Sequence, residues 1–350
     1  MGQTNIRSKL VMDGGRVSIP VAEATALAAG IFEAAGCDAA TARLVADHLA
    51  DADLSGVESH GLMRTLQYTE QFEDGYMRAG ASPRLVTNSR GAEEMDGGGG
   101  IGIPALSLAV DHCAAEARRS GMAALPVRNV GHTGRLGAFA EAGAAQGCLI
   151  IIIGGGARDR WRMVTPYGGR RATLPTNPLC MSMPGGERGP VVLDFATSMI
   201  AGGWLYAARR AGASLPEGLI VDVDGKPTQN PEDYFNGGAI LPAGGAKGYA
   251  LAVMAEMICE AMLGPVNTEV NWLVMALDTG RYRAADEMQA VAEEILADLR
   301  DCPPAPGFDR VEVPGERERD QRAANAAAGV SLPENTWNQI VALGTRLGVA

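Results

Sequence analysis

The sequence predicts an α/β fold with mixed, largely antiparallel strands, in which a helical unit drawn from both chain ends (1–80 with 285–350) flanks a central sheet-containing unit (81–284). Three observations carry this. Apolar residues recur at helical spacing in both terminal stretches, apolar runs of strand length fill the middle, and glycines cluster between them. Glycine is the compositional outlier, 46 of 350 residues, about twice the usual share of ~7%. Its clusters at 97–102, 154–156, 168–169, 185–186, 202–203, 237–238 and 244–245 indicate tight loops that approach a ligand closely.

The elements follow in order. Ser18 caps a helix over 18–36, with Pro20 in its first turn and Val21, Ala24, Leu27, Ala28 and Ile31 on one face. Asp38 caps a second helix that ends near Asp53, and a third runs from about Ser59 to Gly75. Residues 80–100 read as short strands with turns, and 104–120 as an amphipathic helix along Leu106, Val110, Cys113 and Ala117. Ala123–Val127 and Cys148–Ile153 are strands flanking a helix at 134–146; Leu179–Met183 and Val191–Phe195 are further strands. Helices are expected at 198–212, 247–263 and 284–301. A short strand at 309–313, a charged helix at 316–329 and a final helix at 332–348 complete the chain.

Bulk properties exclude several function classes. The chain carries a formal charge of -11 and no block of Lys or Arg, so it has no electrostatic footprint for nucleic acid or an anionic membrane. Its apolar runs, such as Cys148–Ile153, fall far short of the roughly 20 residues a membrane helix needs. The first ten residues show neither a leader nor a myristoylation pattern. Six scattered cysteines without a C-x-x-C pair suit reduced thiols, and a cytoplasmic protein, better than disulfides or zinc. No H-E-x-x-H, G-x-S-x-G or Walker A motif occurs, so no metal site is expected.

Gly97-x-Gly99-x-x-Gly102 formally matches a dinucleotide fingerprint, but the fingerprint acts only after a buried strand, and Ala92–Asp96 does not read as one. Chemistry is better placed at His60, Arg64 and Tyr68, spaced i, i+4, i+8 and so stacked on one helix face. A guanidinium offers a fork to a carboxylate, and an imidazole exchanges a proton with a carbonyl oxygen. The same stripe also reads as a solvated polar face. His132, between Gly131 and Gly134, sits where a helix N-terminus meets an anion or a ribose, or is a plain turn residue. Asn177 before Pro178 is pushed extended, exposing its amide and the Thr176 hydroxyl. The strand ending in Asp194 delivers a carboxylate, and Thr197 or Ser198 can cap the next helix. Lys247 stands on a glycine turn, and Pro314-Gly315-Glu316 on another, each at a helix start. His48 and His112 read as structural.

In their order and spacing these segments resemble the malate/L-lactate dehydrogenase family. The matching stretches are 52–61, 166–169 with 176–179, 193–198, 216–218 with 224–225, 244–249 and 313–316. The resemblance implies a non-Rossmann nicotinamide-binding fold, NAD or NADP as cofactor, and a homodimer with its active site near the interface. It further implies His60 as proton donor and acceptor with Asp194 close to it. Arg64 would hold the substrate carboxylate, with Tyr68 and Ser59 beside it, and His132 would stand between substrate and nicotinamide. Thr176, Asn177, Pro178, Asp194, Phe195, Ala196, Thr197, Ser198, Lys247, Pro314, Gly315 and Glu316 would line the cofactor.

The chain departs from the family pattern at Thr133, at 154–161, at Pro175 and at Ala246, all around the implied pocket. Arg135, Arg158 and Arg160 there point to a second anionic group on the substrate. The leading expectation is interconversion of a small 2-hydroxy acid and its 2-oxo acid. Reduction of a cyclic imine 2-carboxylate is the alternative on the same scaffold, and a non-catalytic NAD(P)-binding regulatory protein is the alternative from another class.

Overall fold

The computed structural model describes residues 15–349, apart from the side chains of residues 207, 210 and 211. The expectations placed on the first ten residues lie outside that range. Strand β1 (Arg16–Ile19) is followed by α1 (Val21–Ala34) and α2 (Ala39–Leu54). Asp38 caps α2, its carboxylate accepting from the Thr41 N–H at 2.9 Å. A 3-10 turn at Glu58–His60 leads to α3 (Arg64–Glu73). Next come β2 (Arg84–Thr87), β3 (Glu93–Gly100), α4 (Gly102–Ser120), β4 (Met122–Val130), α5 (Leu136–Ala145), β5 (Cys148–Gly155), β6 (Pro178–Met183) and β7 (Val191–Ala196). Then follow α6 (Gly202–Ala211), β8 (Ile220–Val221), β9 (Pro227–Thr228), α7 (Pro231–Phe235) and β10 (Ala239–Ile240). Helix α8 (Ala246–Glu256) continues as a π-helix to Met262 before β11 (Asn271–Asp278). The chain closes with α9 (Ala285–Arg300), α10 (Glu316–Ala328), β12 (Val330–Pro333) and α11 (Glu334–Arg346).

The expected α/β architecture is present. Seven strands form one sheet in the order β2-β3-β4-β11-β5-β6-β7, antiparallel throughout except for the β3/β4 pair. Helices α4 and α5 cover one face, burying Ile150 and Ile152 of β5 with Leu106, Val110, Phe139 and Ala140. This core runs on into the helices of the chain ends, where α1 meets α2, α3 and α11, and α10 meets α2. A separate core of Val164, Leu174, Leu205, Ile220 and Ile240 sits under the small sheet β10-β8-β9.

Several elements differ from the sequence expectation. β11, the central strand, is not among the elements expected from the sequence; its apolar residues do not alternate because both its faces and both its edges are covered. Ser18 belongs to β1, which pairs with β12, so Pro20 takes the cap position before α1 and the final helix starts only at Glu334. No strand forms at 309–313; instead the Val192 N–H of β7 donates to the Pro314 carbonyl at 3.1 Å. Helix α6 starts at Gly202, with Ala201 rather than Thr197 or Ser198 at its cap. Residues 93–100 do form a strand, joined through α4 to the parallel β4. Its glycines nevertheless serve packing: a Cβ on Gly97 would stand 2.2 Å from Val130 Cγ1, and one on Gly100 2.6 Å from Ala81 Cβ.

Candidate active site

A cavity of about 1130 Å³ opens between the sheet and the chain-end helices, room for a dinucleotide together with a small acid. Its wall is built from residues 57–67, the 131–136 loop, 160–163, 175–178, β7, the start of α6, the entry to β11 and 312–318.

His60 and Arg64 share this wall, but not one helix. The chain turns extended at Gly61 (φ -89, ψ -161) and the helix restarts at Arg64. The cause lies beneath: buried Asp53 accepts from the Leu62 N–H at 2.7 Å, and a Cβ on Gly61 would fall 1.9 Å from Asp53 Oδ1. The Ser59 hydroxyl contacts His60 Nδ1 at 3.0 Å, and the His60 ring stacks on His132 at 5.3 Å. His132 Nδ1 meets the Tyr68 hydroxyl at 2.6 Å and accepts from the Gly134 N–H at 3.2 Å. An Nδ1 that accepts leaves the His132 proton on Nε2. Tyr68, fully buried, stands behind His132 rather than in the wall.

Arg64 donates from Nε to the Ser59 carbonyl at 2.7 Å and from Nη1 to Gln67. Among the described residues no carboxylate forms an ion pair with it, so it keeps donors for an incoming anion. Burial first, and Arg64 second, pull His60 down to about 3 and His132 well below the ordinary imidazole value. Both rings are therefore neutral near pH 7.

Asp194 also faces the cavity, but its Oδ2 accepts from the Gly137 N–H at 2.7 Å and no hydrogen bond joins it to His60. Burial raises its carboxyl, with Gly137 and Arg135 opposing. Thr176, Asn177, Pro178, Phe195, Ala196, Pro314 and Gly315 line the cavity. Thr197 and Ser198 do not; their hydroxyls donate to the Thr176 and Ile200 carbonyls at 3.0 and 2.8 Å. Glu316 is buried between Arg300 and Arg188, at 2.8 and 3.1 Å, and exposed Lys247 stands outside the wall. Arg135 is engaged by Asp51 and Glu141, and Arg158 by Glu260, so neither is free for a second anionic group. Arg160 lines the cavity with its Nη1 on the Asn267 and Thr268 carbonyls.

Other wall residues escaped the sequence reading. Arg162 and Arg317 also line the cavity, paired with Asp159 at 3.7 Å and with Glu318 at 2.5 Å. Glu256 holds the segment at 177 from behind, accepting from Asn177 Nδ2 at 2.5 Å and the Gly156 N–H at 2.9 Å. Asn177 keeps a positive φ of 41° and leaves its buried Oδ1 without a partner. An orphaned amide oxygen in the wall fits the carboxamide of a nicotinamide dinucleotide. Glu269, at the entry to β11, is a buried carboxyl raised to about 7 by burial, with Arg64 opposing. Recognising 271–278 as a strand is the signal that would have placed it.

Buried His48, stacked on Phe139 and accepting from the Arg135 N–H at 3.0 Å, is pulled to about 3 by burial and then Arg135. Its folded value lies below the unfolded ~6.5, so its neutral form stabilises the fold fully above pH ~6.5, and that stability is lost as pH falls toward 3. Glu269 and Asp194 shift the other way, which makes the difference between parent and variant the informative quantity. Between pH 6.5 and 3.5 the parent should lose on the order of 4 kcal/mol more than His48→Gln in denaturant melts. A gap independent of pH would refute this.

A model of the malate/L-lactate dehydrogenase family matches residues 19–341. The Delta(1)-pyrroline-2-carboxylate/Delta(1)-piperideine-2-carboxylate reductase of Pseudomonas putida is 32% identical over 332 residues, 91% of this chain and 94% of that protein. The L-lactate dehydrogenase of Cupriavidus necator is 33% identical over 348 residues, 95% and 99% of the two chains. The solved structure of a putative malate/lactate dehydrogenase from E. coli superposes with a TM-score of 0.86 at 28% identity, covering 95% of this chain and 96% of that one. With its fold, its cavity and these matches on the same footing, the chain belongs to the malate/L-lactate dehydrogenase family, whose members are oxidoreductases that use a nicotinamide cofactor.

Proposed function

We propose that this chain exchanges a hydride, by way of NAD or NADP, with C2 of a small carboxylate whose C2 carries oxygen or nitrogen. The observation that carries the reading is Arg64, a guanidinium without a carboxylate partner, in one cavity wall with the neutral imidazole of His60. Arg64 holds the substrate carboxylate. His60 is in the state to take the C2 hydroxyl proton as hydride leaves. In the opposite direction the bound carboxylate offsets the field of Arg64, so His60 gains basicity and can carry the proton back. Tyr68 fixes the His132 tautomer, and the Nε2–H of His132 is a donor for a C2 oxygen. Thr176–Pro178, Asp194–Ala196 and Pro314–Gly315 would hold the cofactor, which supplies or removes the hydride when bound.

The activities that name the two relatives, one on a cyclic imine and one on lactate, support both forms of the substrate. The test follows NADH and NADPH absorbance with a panel of 2-oxo acids and cyclic imine 2-carboxylates. Consumption with at least one class is expected. Tight NADH binding without turnover of any would favour the regulatory alternative.

A homodimer is part of the proposal. Leu251, Met254, Met257 and Met262 form an exposed apolar stripe along α8 and its π extension, a face suited to burial between subunits. Sedimentation should give twice the 36.4 kDa chain mass, and a monomer at micromolar concentration would remove this part. The six cysteines are free, five of them buried, which supports the cytoplasmic placement.

A further inference from the structure

Glu269 has no role in the mechanism above, although it shares the cavity wall with Arg64. Its Oε2 is buried without a hydrogen-bond partner. Among the described residues no ion pair joins it to Arg64, whose Nε and Nη1 are turned to Ser59 and Gln67. The backbone of Glu269 is fixed: its N–H donates to the Val130 carbonyl at 3.3 Å, and the neighbouring Thr268 hydroxyl donates to that carbonyl as well. Arg64 and Glu269 therefore face one cavity with no salt bridge between them. A buried carboxylate oxygen in that position is costly unless a ligand satisfies it.

We propose that Glu269 is a specificity-determining residue that recognises an N–H at C2 of the substrate, so that the site prefers a protonated cyclic imine 2-carboxylate to a 2-oxo acid. This rests on the hydride exchange at C2 proposed above and names its substrate class. A protonated cyclic imine is a zwitterion whose carboxylate matches Arg64 and whose N–H donates to Glu269 in a charge-assisted hydrogen bond. A 2-oxo acid presents only lone pairs at C2 and offers no donor to the Glu269 carboxylate. Trp161, Met163, Val270 and Trp272 supply apolar wall for ring methylenes. The balance is direct. Hydride from the reduced nicotinamide forms the C2–H bond, the C=N π pair becomes the nitrogen lone pair, and the proton already on nitrogen stays there. No acid is needed at that moment, which agrees with an imidazole kept neutral by burial and Arg64.

The test compares the full chain with Glu269→Gln on 1-piperideine-2-carboxylate and on pyruvate, with NADH or NADPH. The parent should show the higher kcat/KM on the imine. Glu269→Gln should lose about 10- to 100-fold on the imine, the range of a hydrogen bond to a charged group, and no more than about threefold on pyruvate. Binding of L-pipecolate, read by tryptophan fluorescence, should weaken by a similar factor while L-lactate binding holds. Equal losses on both substrates, or a parent that prefers pyruvate, would overturn the role of Glu269 and leave hydride exchange at C2 standing. A parent that turns over neither class would overturn the function itself. The parent's substrate preference decides even if the variant fails to fold.

Discussion

His60→Ala should lower kcat for oxidation of a 2-hydroxy acid by about 10²- to 10⁴-fold, the span that general base catalysis supplies. The free imidazole is the one wall group beside Arg64 that is both unprotonated near neutrality and hydrogen-bonded to Ser59. His132 cannot take over, because its Nδ1 is occupied by Tyr68 and Gly134. The cofactor segments lie elsewhere in the wall, so NADH affinity, measured by fluorescence titration, should stay within about threefold. The loss should be smaller for reduction of a protonated cyclic imine, whose nitrogen already carries its proton. Full turnover of a hydroxy acid by the variant would eliminate His60 as the base.

Arg64→Ala should reduce kcat/KM by about 10²- to 10³-fold, as expected when a paired, charge-assisted contact to a carboxylate is removed. Arg64→Lys should restore little, since an ammonium cannot both hold the Ser59 carbonyl through Nε and offer a planar fork. A second readout separates this from misfolding. Arg64 is the second cause of the depressed His60 value, so its loss should move the acid limb of kcat/KM upward in pH. An unchanged limb together with unchanged KM would place Arg64 outside the substrate site.

Local chemistry was legible where one residue decides the outcome. Asp38 announced its cap, and the isoleucine run of 150–153 announced a buried strand. The spacing of His60, Arg64 and Tyr68 pointed to the right wall by an incomplete argument. Gly61 breaks the helix because Asp53 occupies the space a side chain would need, a contact between segments that no periodicity reports. β1 and β12 were invisible for a related reason, since each is a four-residue strand whose partner lies some three hundred positions away. Lys247 shows the converse: a motif drew attention to an exposed cation, while Glu269, which has no motif, is buried in the cavity.

The pairing of Arg16–Ile19 with Val330–Pro333 also has a consequence during synthesis. His60 leaves the ribosome early, yet its wall is completed by residues 312–318. At the usual ~5–20 residues per second, roughly tens of seconds separate the synthesis of these two parts of the wall. Until then β1 lacks the strand it pairs with, and the wall around His60 lacks its last segment.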